Sequence, residues 1–375
     1  MGKIWPSLTI LIMVAAILIV YLFGPKQDTF KAYDADGEKY AWDIAVIASG
    51  LEVPWDLAPT DEGEIFITER AGKVKLLKKD GSIQTITNFP QVASVGESGM
   101  TGLALHPDFT NNGYIFIYYT YRSGGETLNR VSRFTYNNNR LADELVILDQ
   151  LPGGVIHNGG RMRFGPDQKL WILIGDASRP PSAQDIKSLS GKVLRINDDG
   201  SYPSDNPFKN SPVFSFGHRN PQGLDFHPLT EQPIATEHGE TAYDEINLIE
   251  AGKNYGWPEN KKCFSDNPSF ENPILCSDEF TWAPSGAAFL GAEIWRLRNS
   301  YFFAGLRGQI LERIDIVDGK VKDRETIINN AYGRLRAVVS DKKGHLYVST
   351  SNLDGRGNPK QGDDKILKLT PKKIE

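Results

Sequence analysis

Six near-equivalent β-rich units follow one another along this chain, and that repetition constrains its fold more than any single motif. The first run of each unit is EIFIT from Glu64, YIFIYYT from Tyr114, KLWILIG from Lys169, PIATEHG from Pro233, YFFAGL from Tyr301 and HLYVSTS from His345. A second strand-like run follows each: GKVKLLK from Gly72, NRVSRFTY from Asn129, GKVLRIN from Gly191, DEINLI from Asp244, GQILERI from Gly308 and DKILKL from Asp364. Most units begin with a short apolar segment and a turn rich in Pro, Asp and Gly, as in LALHPDF and MRFGPDQ, which is hairpin chemistry. Three or four strands in roughly 45 to 70 residues, with no amphipathic helix, is the pattern of a propeller blade. The expected fold is all-β, a six-bladed β-propeller over residues 40–375; a two-sheet sandwich has no need of six like units. WDIAVIAS from Trp42 is expected to add an outer strand to the last blade and close the ring.

The first 25 residues differ in kind. Lys3 precedes an apolar stretch from Leu8 to Phe23, which Gly24, Pro25 and Lys26 close. A spanning helix needs roughly 17 to 25 residues, so this run lies between a signal-peptide core and a short anchor. No small-x-small cleavage triplet follows and no cysteine is placed for lipidation, which favours an uncleaved anchor over a removed signal. Residues 1–25 are therefore expected to be a membrane anchor or signal segment and 26–39 a linker. The propeller would lie outside the cytoplasm, tethered or secreted. In that setting the only cysteines, Cys263 and Cys276, read as a disulfide staple, two free thiols being the alternative. A net charge of -5 with no concentrated basic stripe argues against a nucleic-acid partner.

In an antiparallel hairpin, residues equidistant from the turn lie side by side. With its turn near Asp167, the third unit sets His157 beside Asp176. The fourth, turning near Pro228, brings Arg219 and Asn220 level with Glu237 and His238, and the sixth, turning near Lys343, brings Arg334 and Arg336 level with Ser351 and Asn352. Glu97 and Arg122 hold the looser equivalent place in the second. Inner-strand ends surround a propeller's axis, so His157, Asp176, Arg219, Asn220, Arg334, Arg336 and Glu97 are expected around one cavity. The other ends carry His106, Pro107, Asp108, His227 and Pro228, which read as turn formers.

A histidine held by a carboxylate suits a general base, because the acid fixes the tautomer and stabilises the imidazolium; the alternative is a structural hydrogen bond within a loop. Three or four arginines around one cavity repel each other unless a polycarboxylate or phosphate ligand neutralises them, although each taken singly could serve a surface ion pair. No serine lies in a nucleophile elbow, and no P-loop or dinucleotide fingerprint is present. The segment EHGETAYDE from Glu237 combines a turn backbone with Glu240, Asp244 and Glu245, a set that suits a hard ion such as calcium.

The passages GLALHPDF, HNGGRMRFGPDQKLWILIGD, GKVLRIN, GHRNPQGL, DEINLIEAGKNYGWP, LRGQ and GRLRAVV run in order from about Glu52 to the C-terminus. In them the chain resembles the soluble pyrroloquinoline-quinone-dependent glucose and aldose sugar dehydrogenases. The resemblance implies His157 as catalytic base with Asp176 as its partner, and Arg219 as both a catalytic and a cofactor-gripping group. It implies that Asn220, Arg307, Arg334 and Arg336 grip the carboxylates and quinone oxygens of the cofactor, with Glu97, His238 and Thr281 as further contacts. Backbone carbonyls of Gly239 and Glu240 would bind a calcium ion that touches the quinone, and Glu245 and Tyr255 part of a second, structural calcium. The implied reaction is oxidation of an aldose at its anomeric carbon to the lactone, with an external electron acceptor restoring the quinone.

The chain departs from that pattern at informative places. Glu97 stands where the glucose enzymes have a glutamine, Ile156 where they have an aspartate, His238 and Glu240 where they have a glutamine and a proline, and Arg307 where they have a lysine. An apolar residue at 156 removes a sugar-hydroxyl contact and points to broad or non-glucose specificity. A calcium-dependent lactonase or hydrolase propeller would leave the arginines without a purpose. A non-catalytic recognition propeller, like the related domain of vertebrate hedgehog-interacting proteins, would not need both His157 and Asp176.

Overall fold

Strand runs of five or six residues that are buried at every position, such as Leu170–Ile174 and Ser300–Gly305, face water on neither side, so each must be covered twice. The computed structural model, which describes residues 29–33, 39–291, 297 and 299–374, shows how this is met. Six antiparallel sheets stand around an axis. Blade 1 comprises Pro54–Pro59, Ile65–Glu69, Lys73–Leu77 and Ile83–Asn88; blade 2 Met100–Leu105, Tyr114–Ser123, Glu126–Asn137 and Arg140–Pro152. Blade 3 comprises Met162–Phe164, Leu170–Ile174, Lys192–Ile196 and Val213–Phe216; blade 4 Pro221–Phe226, Pro233–Glu237, Glu245–Leu248 and Leu275–Cys276. Blade 5 comprises Pro284–Phe289, Ser300–Gly305, Ile310–Val317 and Lys320–Asn329. Blade 6 runs outward through Leu335–Ser340, Leu346–Thr350 and Ile366–Ile374, and is completed by Lys39–Ala48 and Thr29–Tyr33.

The expected ring closure is present: Lys39–Ala48 pairs along Ile366–Ile374, with Trp42 opposite Pro371 and Val46 opposite Leu367. The stretch read as a linker contributes a fifth strand, Thr29–Tyr33, to the same sheet. The apolar segment at 1–25 lies outside the described residues. The innermost strands pack each against the next around the whole ring, blade 6 returning to blade 1.

The period-two alternation of a strand sends neighbouring side chains to opposite faces, and here the two faces belong to different blade interfaces. Phe66 packs towards blade 2, while Ile65 and Ile67 pack towards blade 6. Phe116 and Tyr118 face blade 3, and Ile115, Ile117 and Tyr119 face blade 1. Leu170, Ile172 and Ile174 face blade 2, and Trp171 and Leu173 face blade 4. Among the described residues the buried apolar side chains form six clusters, one between each pair of adjacent blades.

Below the open end of the ring, the axis is filled by charge. Arg161 is wholly buried and ion-paired to Asp56, whose second oxygen also meets Arg163 at 3.1 Å. Asp225, on the inner strand of blade 4, accepts the backbone N–H groups of Phe289 at 2.6 Å and Phe226 at 2.9 Å. Burial pushes its carboxyl up to about 6, against the pull of those donors and of Arg163.

Two outcomes follow from this packing. Trp42 is fully buried and meets Phe302 of blade 5 edge-on at 5.3 Å, so Trp42→Ala should destabilise the fold by about 3–5 kcal/mol in urea unfolding. The raised carboxyl of Asp225 means that the folded state holds its proton more tightly than an unfolded chain, whose value is 3.8, so this group lowers stability as pH rises through 4 to 6. Asp225→Asn, which keeps an acceptor, should gain in melting temperature relative to the parent between pH 4 and pH 7; a constant difference across that range would contradict the assignment.

Candidate active site

Of the residues predicted to converge, Glu97, His157, Arg219, Arg334 and Arg336 line one cavity, while Asp176 and Asn220 are buried behind its wall. On one face of the ring a cavity of about 800 Å³ opens, lined by residues of every blade. His157 lies in the loop entering blade 3, in the left-handed region at φ 59°, and is followed by Asn158, Gly159 and Gly160. The turn is tight: a Cβ on Gly175, across the hairpin, would collide with the carbonyl oxygen of His157. His157 Nδ1 meets Asp176 Oδ1 at 2.8 Å, which leaves Nε2 as the ring's second nitrogen, and the residue lines the cavity. Asp176 is fully buried; its Oδ1 also accepts the Ser178 N–H at 2.8 Å and its Oδ2 the Trp257 indole Nε1–H at 2.9 Å.

Opposite stand the arginines. Arg334 Nε donates to Asp354 Oδ2 at 2.8 Å, and Arg336 Nε to the Ser351 hydroxyl at 2.9 Å, as the hairpin arithmetic requires. Burial pulls the Arg336 guanidinium down to about 10; Asp354 opposes this, and the charges of Arg334 and Arg70 add to it. Burial likewise lowers Arg219 and Arg70. Asp354, although buried, is held below the usual carboxylate range by Arg336 and Arg334. Arg219 lies with its guanidinium carbon 5.2 Å from the Trp257 ring centre, and its Nε is buried without a partner. Among the described residues Nε2 of His238 has no partner, nor has the buried amide nitrogen of Asn220, which lies behind the cavity lining with its Oδ1 accepting the Gly159 N–H at 3.2 Å. Burial lowers the His238 imidazole, against the pull of Asp244 and Glu97 and with the push of Arg219 and His157.

Glu97 is half-buried at the rim. Its Oε2 accepts the backbone N–H of His157 at 3.2 Å, and its Oε1 meets Arg356 at 2.8 Å. Burial opposes its charge, but His238, the His157 N–H, Arg356 and His157 together hold it below the usual glutamate range. Ile156, Gly239, Glu240, Thr281 and the exposed Arg307 line the same cavity. Arg122 does not; it lies exposed on the long hairpin between the second and third strands of blade 2, opposite Thr127.

The loop read as suited to calcium divides its oxygens. Asp244 is committed to the fold: Oδ1 accepts the Gly239 N–H at 3.0 Å, and Oδ2 accepts the Thr281 hydroxyl at 3.0 Å and the N–H groups of Trp282 and Ala283 at 2.7 and 2.8 Å. The Glu240 carboxylate points to solvent and meets Lys261 at 3.2 Å. No hydrogen bond among the described residues uses the carbonyls of Gly239 and Glu240. Glu245 and Tyr255 lie behind the loop, with Glu237, in a separate small crevice. Burial and the nearby Glu237 raise the Glu245 carboxyl well above its ordinary value. The Tyr255 hydroxyl donates to the Leu248 carbonyl and accepts the Glu250 N–H at 2.9 Å. Among the described residues no group of three or more His, Cys, Asp and Glu side chains is arranged as a metal site. Cys263 and Cys276 form the expected disulfide, with Cα atoms 5.9 Å apart.

A family model described as Glucose / Sorbosone dehydrogenase matches residues 51–361. The chain belongs to the glucose/sorbosone dehydrogenase family. It is 38% identical over 251 residues to quinoprotein glucose dehydrogenase B of Acinetobacter calcoaceticus, covering 58% of this chain and 52% of that one. Against aldose sugar dehydrogenase YliI of Escherichia coli K12 the identity is 29% over 359 residues, with 88% and 93% covered. The structure of the PQQ-bound aldose sugar dehydrogenase of Streptomyces coelicolor superposes with a TM-score of 0.81 at 36% identity, covering 88% of this chain and 98% of that one.

Within this family member, several cavity residues escaped the sequence reading. Arg70 stands eight residues beyond the centre of the first unit's turn, so the arithmetic used on the third, fourth and sixth units would have found it; its N–H donates to the Val53 carbonyl at 3.1 Å. Asp354 and Arg356 sit in a Gly-rich loop without hairpin register; Trp257, which supports Asp176 behind the cavity and does not line it, arrives from a loop of another blade. A further array, Ser215 Oγ to His218 Nε2 and His218 Nδ1 to Glu237 Oε2, both 2.8 Å, resembles a hydrolytic triad. Ser215 and His218 are wholly buried and neither lines the cavity, so the array is structural.

Because Asp244 gathers four donors onto one buried carboxylate, Asp244→Ala should cost about 2–4 kcal/mol and loosen the loop around Gly239 and Thr281. Amide hydrogen exchange at Trp282 and Ala283 would report this; unchanged protection there would show that the cap is dispensable.

Proposed function

We propose that this protein is a pyrroloquinoline-quinone-dependent aldose dehydrogenase, with His157 as general base. The observation that carries the reading is the His157–Asp176 couple opening into a cavity lined by Arg70, Arg219, Arg307, Arg334, Arg336 and Arg356. Of the acids in that cavity, Asp354 and Glu97 are each already engaged by arginine, and Asp244 and Glu240 are committed elsewhere. The donor surplus, with the buried Nε of Arg219 carrying no acceptor among the described residues, fits a planar tricarboxylate of the quinone's kind.

The chemistry of the chain's own groups follows from their placement. Asp176 accepts a hydrogen bond from the Nδ1–H of His157, so the Nε2 lone pair is the base for the anomeric hydroxyl. As the imidazolium forms, Asp176 stabilises it, and the buried setting strengthens that attraction. When bound, the quinone would supply the hydride acceptor for oxidation of the anomeric carbon to the lactone. Arg219, Arg334 and Arg336 would hold its anionic oxygens, with Asn220, Arg307, Thr281, His238 and Glu97 around them. Calcium would be held by the unengaged carbonyls of Gly239 and Glu240, and a second ion by Glu245 in the crevice by Tyr255. Ile156 offers no hydrogen bond to a sugar, which fits acceptance of several aldoses. An external acceptor would reoxidise the cofactor outside the cytoplasm, with residues 1–25 as tether or signal.

The test is reconstitution of cofactor-free protein with pyrroloquinoline quinone and calcium, followed by dye reduction with a panel of aldoses. The parent should turn over, and His157→Ala should lose about a hundredfold or more in kcat while binding the quinone as tightly. Absence of quinone binding at high micromolar concentration would overturn the redox reading.

A further inference from the structure

The carboxylate that orients His157 is itself oriented from another blade. Trp257 lies in the loop between Glu245–Leu248 and Leu275–Cys276 of blade 4, yet its indole Nε1–H reaches Asp176 Oδ2 at 2.9 Å, and its side chain is buried. The loop is fastened there by several independent bonds. Trp257 N–H donates to the Gly217 carbonyl at 2.9 Å, and its own carbonyl accepts the Gln184 amide at 2.6 Å. Gln184 and Asn254 exchange amide bonds at 3.1 and 2.8 Å, and Asn254 bridges in parallel to Phe216 at the end of blade 3. Gly217 is required beneath this exchange, because a Cβ there would collide with Asn254 Oδ1.

Gln184 in turn follows the turn Pro180–Ala183, whose last two carbonyls are held by a buried ammonium. Lys192 Nζ donates to Ser182 O, Ala183 O and Ser190 O at 3.0, 2.9 and 2.6 Å. The chain of contacts from Lys192 through Gln184 and Trp257 to Asp176 ends on His157. None of Lys192, Gln184 and Trp257 lines the cavity.

From this geometry we infer that Trp257 is a positioning residue for the reaction: by filling Asp176 Oδ2 it fixes the carboxylate's orientation and moderates its pull on the His157 ring. The inference rests on the assignment of His157 as base. Asp176 has two acceptor oxygens in a dry site. Oδ1 already serves His157 and Ser178, so Oδ2 depends on the indole. Without it, a buried carboxylate oxygen has no donor, more charge remains to face the imidazole, and the protonated ring is favoured. The other charged and titratable groups facing His157 are Glu97, Arg219 and His238, and of these Arg219 lies over the Trp257 ring. Trp257 also carries Arg219 over its ring, which places the base and one cofactor-facing arginine on a common support.

Trp257→Phe keeps an aromatic ring in the pocket and removes the N–H together with the pyrrole part of the indole. In ¹³C-histidine NMR of the full chain, with His157→Gln assigning the resonance, the His157 titration midpoint should rise by about half a pH unit or more in Trp257→Phe. Gln184→Leu, which frees the Trp257 carbonyl, should shift it the same way by less. An unchanged midpoint in folded Trp257→Phe overturns the inference; if that variant does not fold, an unchanged midpoint in Gln184→Leu does so. The titration needs neither cofactor nor sugar. In reconstituted enzyme the acid limb of kcat should move up in step. If the ring's midpoint moves and the rate profile does not, the positioning role stands and His157 is not the base.

Discussion

Everything in this molecule depends on each blade being covered on both faces by its neighbours. A strand such as Ile65–Glu69 sends Phe66 into one interface and Ile65 and Ile67 into the other, so no blade can satisfy its apolar surface alone or at the end of a row. Only a closed ring gives every sheet two partners, and the closure is made by pairing Lys39–Ala48 with Ile366–Ile374. Trp42 makes the junction apolar as well as hydrogen-bonded, since it is buried against blade 5 from a strand far away in the chain.

Closure also creates the site. Six inner strands that pack on one another must converge on an axis, and whatever stands at their ends is forced together, like charges included. The protein tolerates this by distributing the arginines between carboxylates and aromatic faces: Arg336 lies near Asp354 and Trp55, Arg161 against Asp56 and Trp55, Arg219 over Trp257. The compensation is incomplete, and the buried Nε of Arg219, without an acceptor among the described residues, marks where it stops. A cavity whose donors outnumber its acceptors is poised for an anionic, acceptor-rich occupant, which fits the chain's membership of the glucose/sorbosone dehydrogenase family.

The His157–Asp176 contact, the level placing of Arg219 with Glu237, and of Arg334 and Arg336 with Ser351 and Asn352, were legible because a hairpin converts sequence distance into spatial register. Arg70 was within reach of the same rule. Glu97, Asp354 and Arg356 come from loops between strands, where no register applies, so their meeting across the rim had no local signal. The calcium loop shows the limit of reading residue types alone. Asp244 looks like a ligand in the sequence, but in the fold it is an acceptor for four protein donors.

By itself the sequence determined the architecture: six repeats of two-faced strands, with turns of hairpin chemistry, leave a six-bladed ring as the arrangement that buries them all. It determined through register the facing pairs within each blade, because such pairs are a matter of counting along one chain segment. Contacts between blades were decided only by the tertiary structure. The Trp257 bond to Asp176, the Gln184–Asn254 exchange and the Arg356–Glu97 pair join residues whose separation along the chain carries no information. Their geometry is set by the angle and height at which neighbouring sheets pack, and that is fixed by the sum of six apolar interfaces rather than by any local sequence.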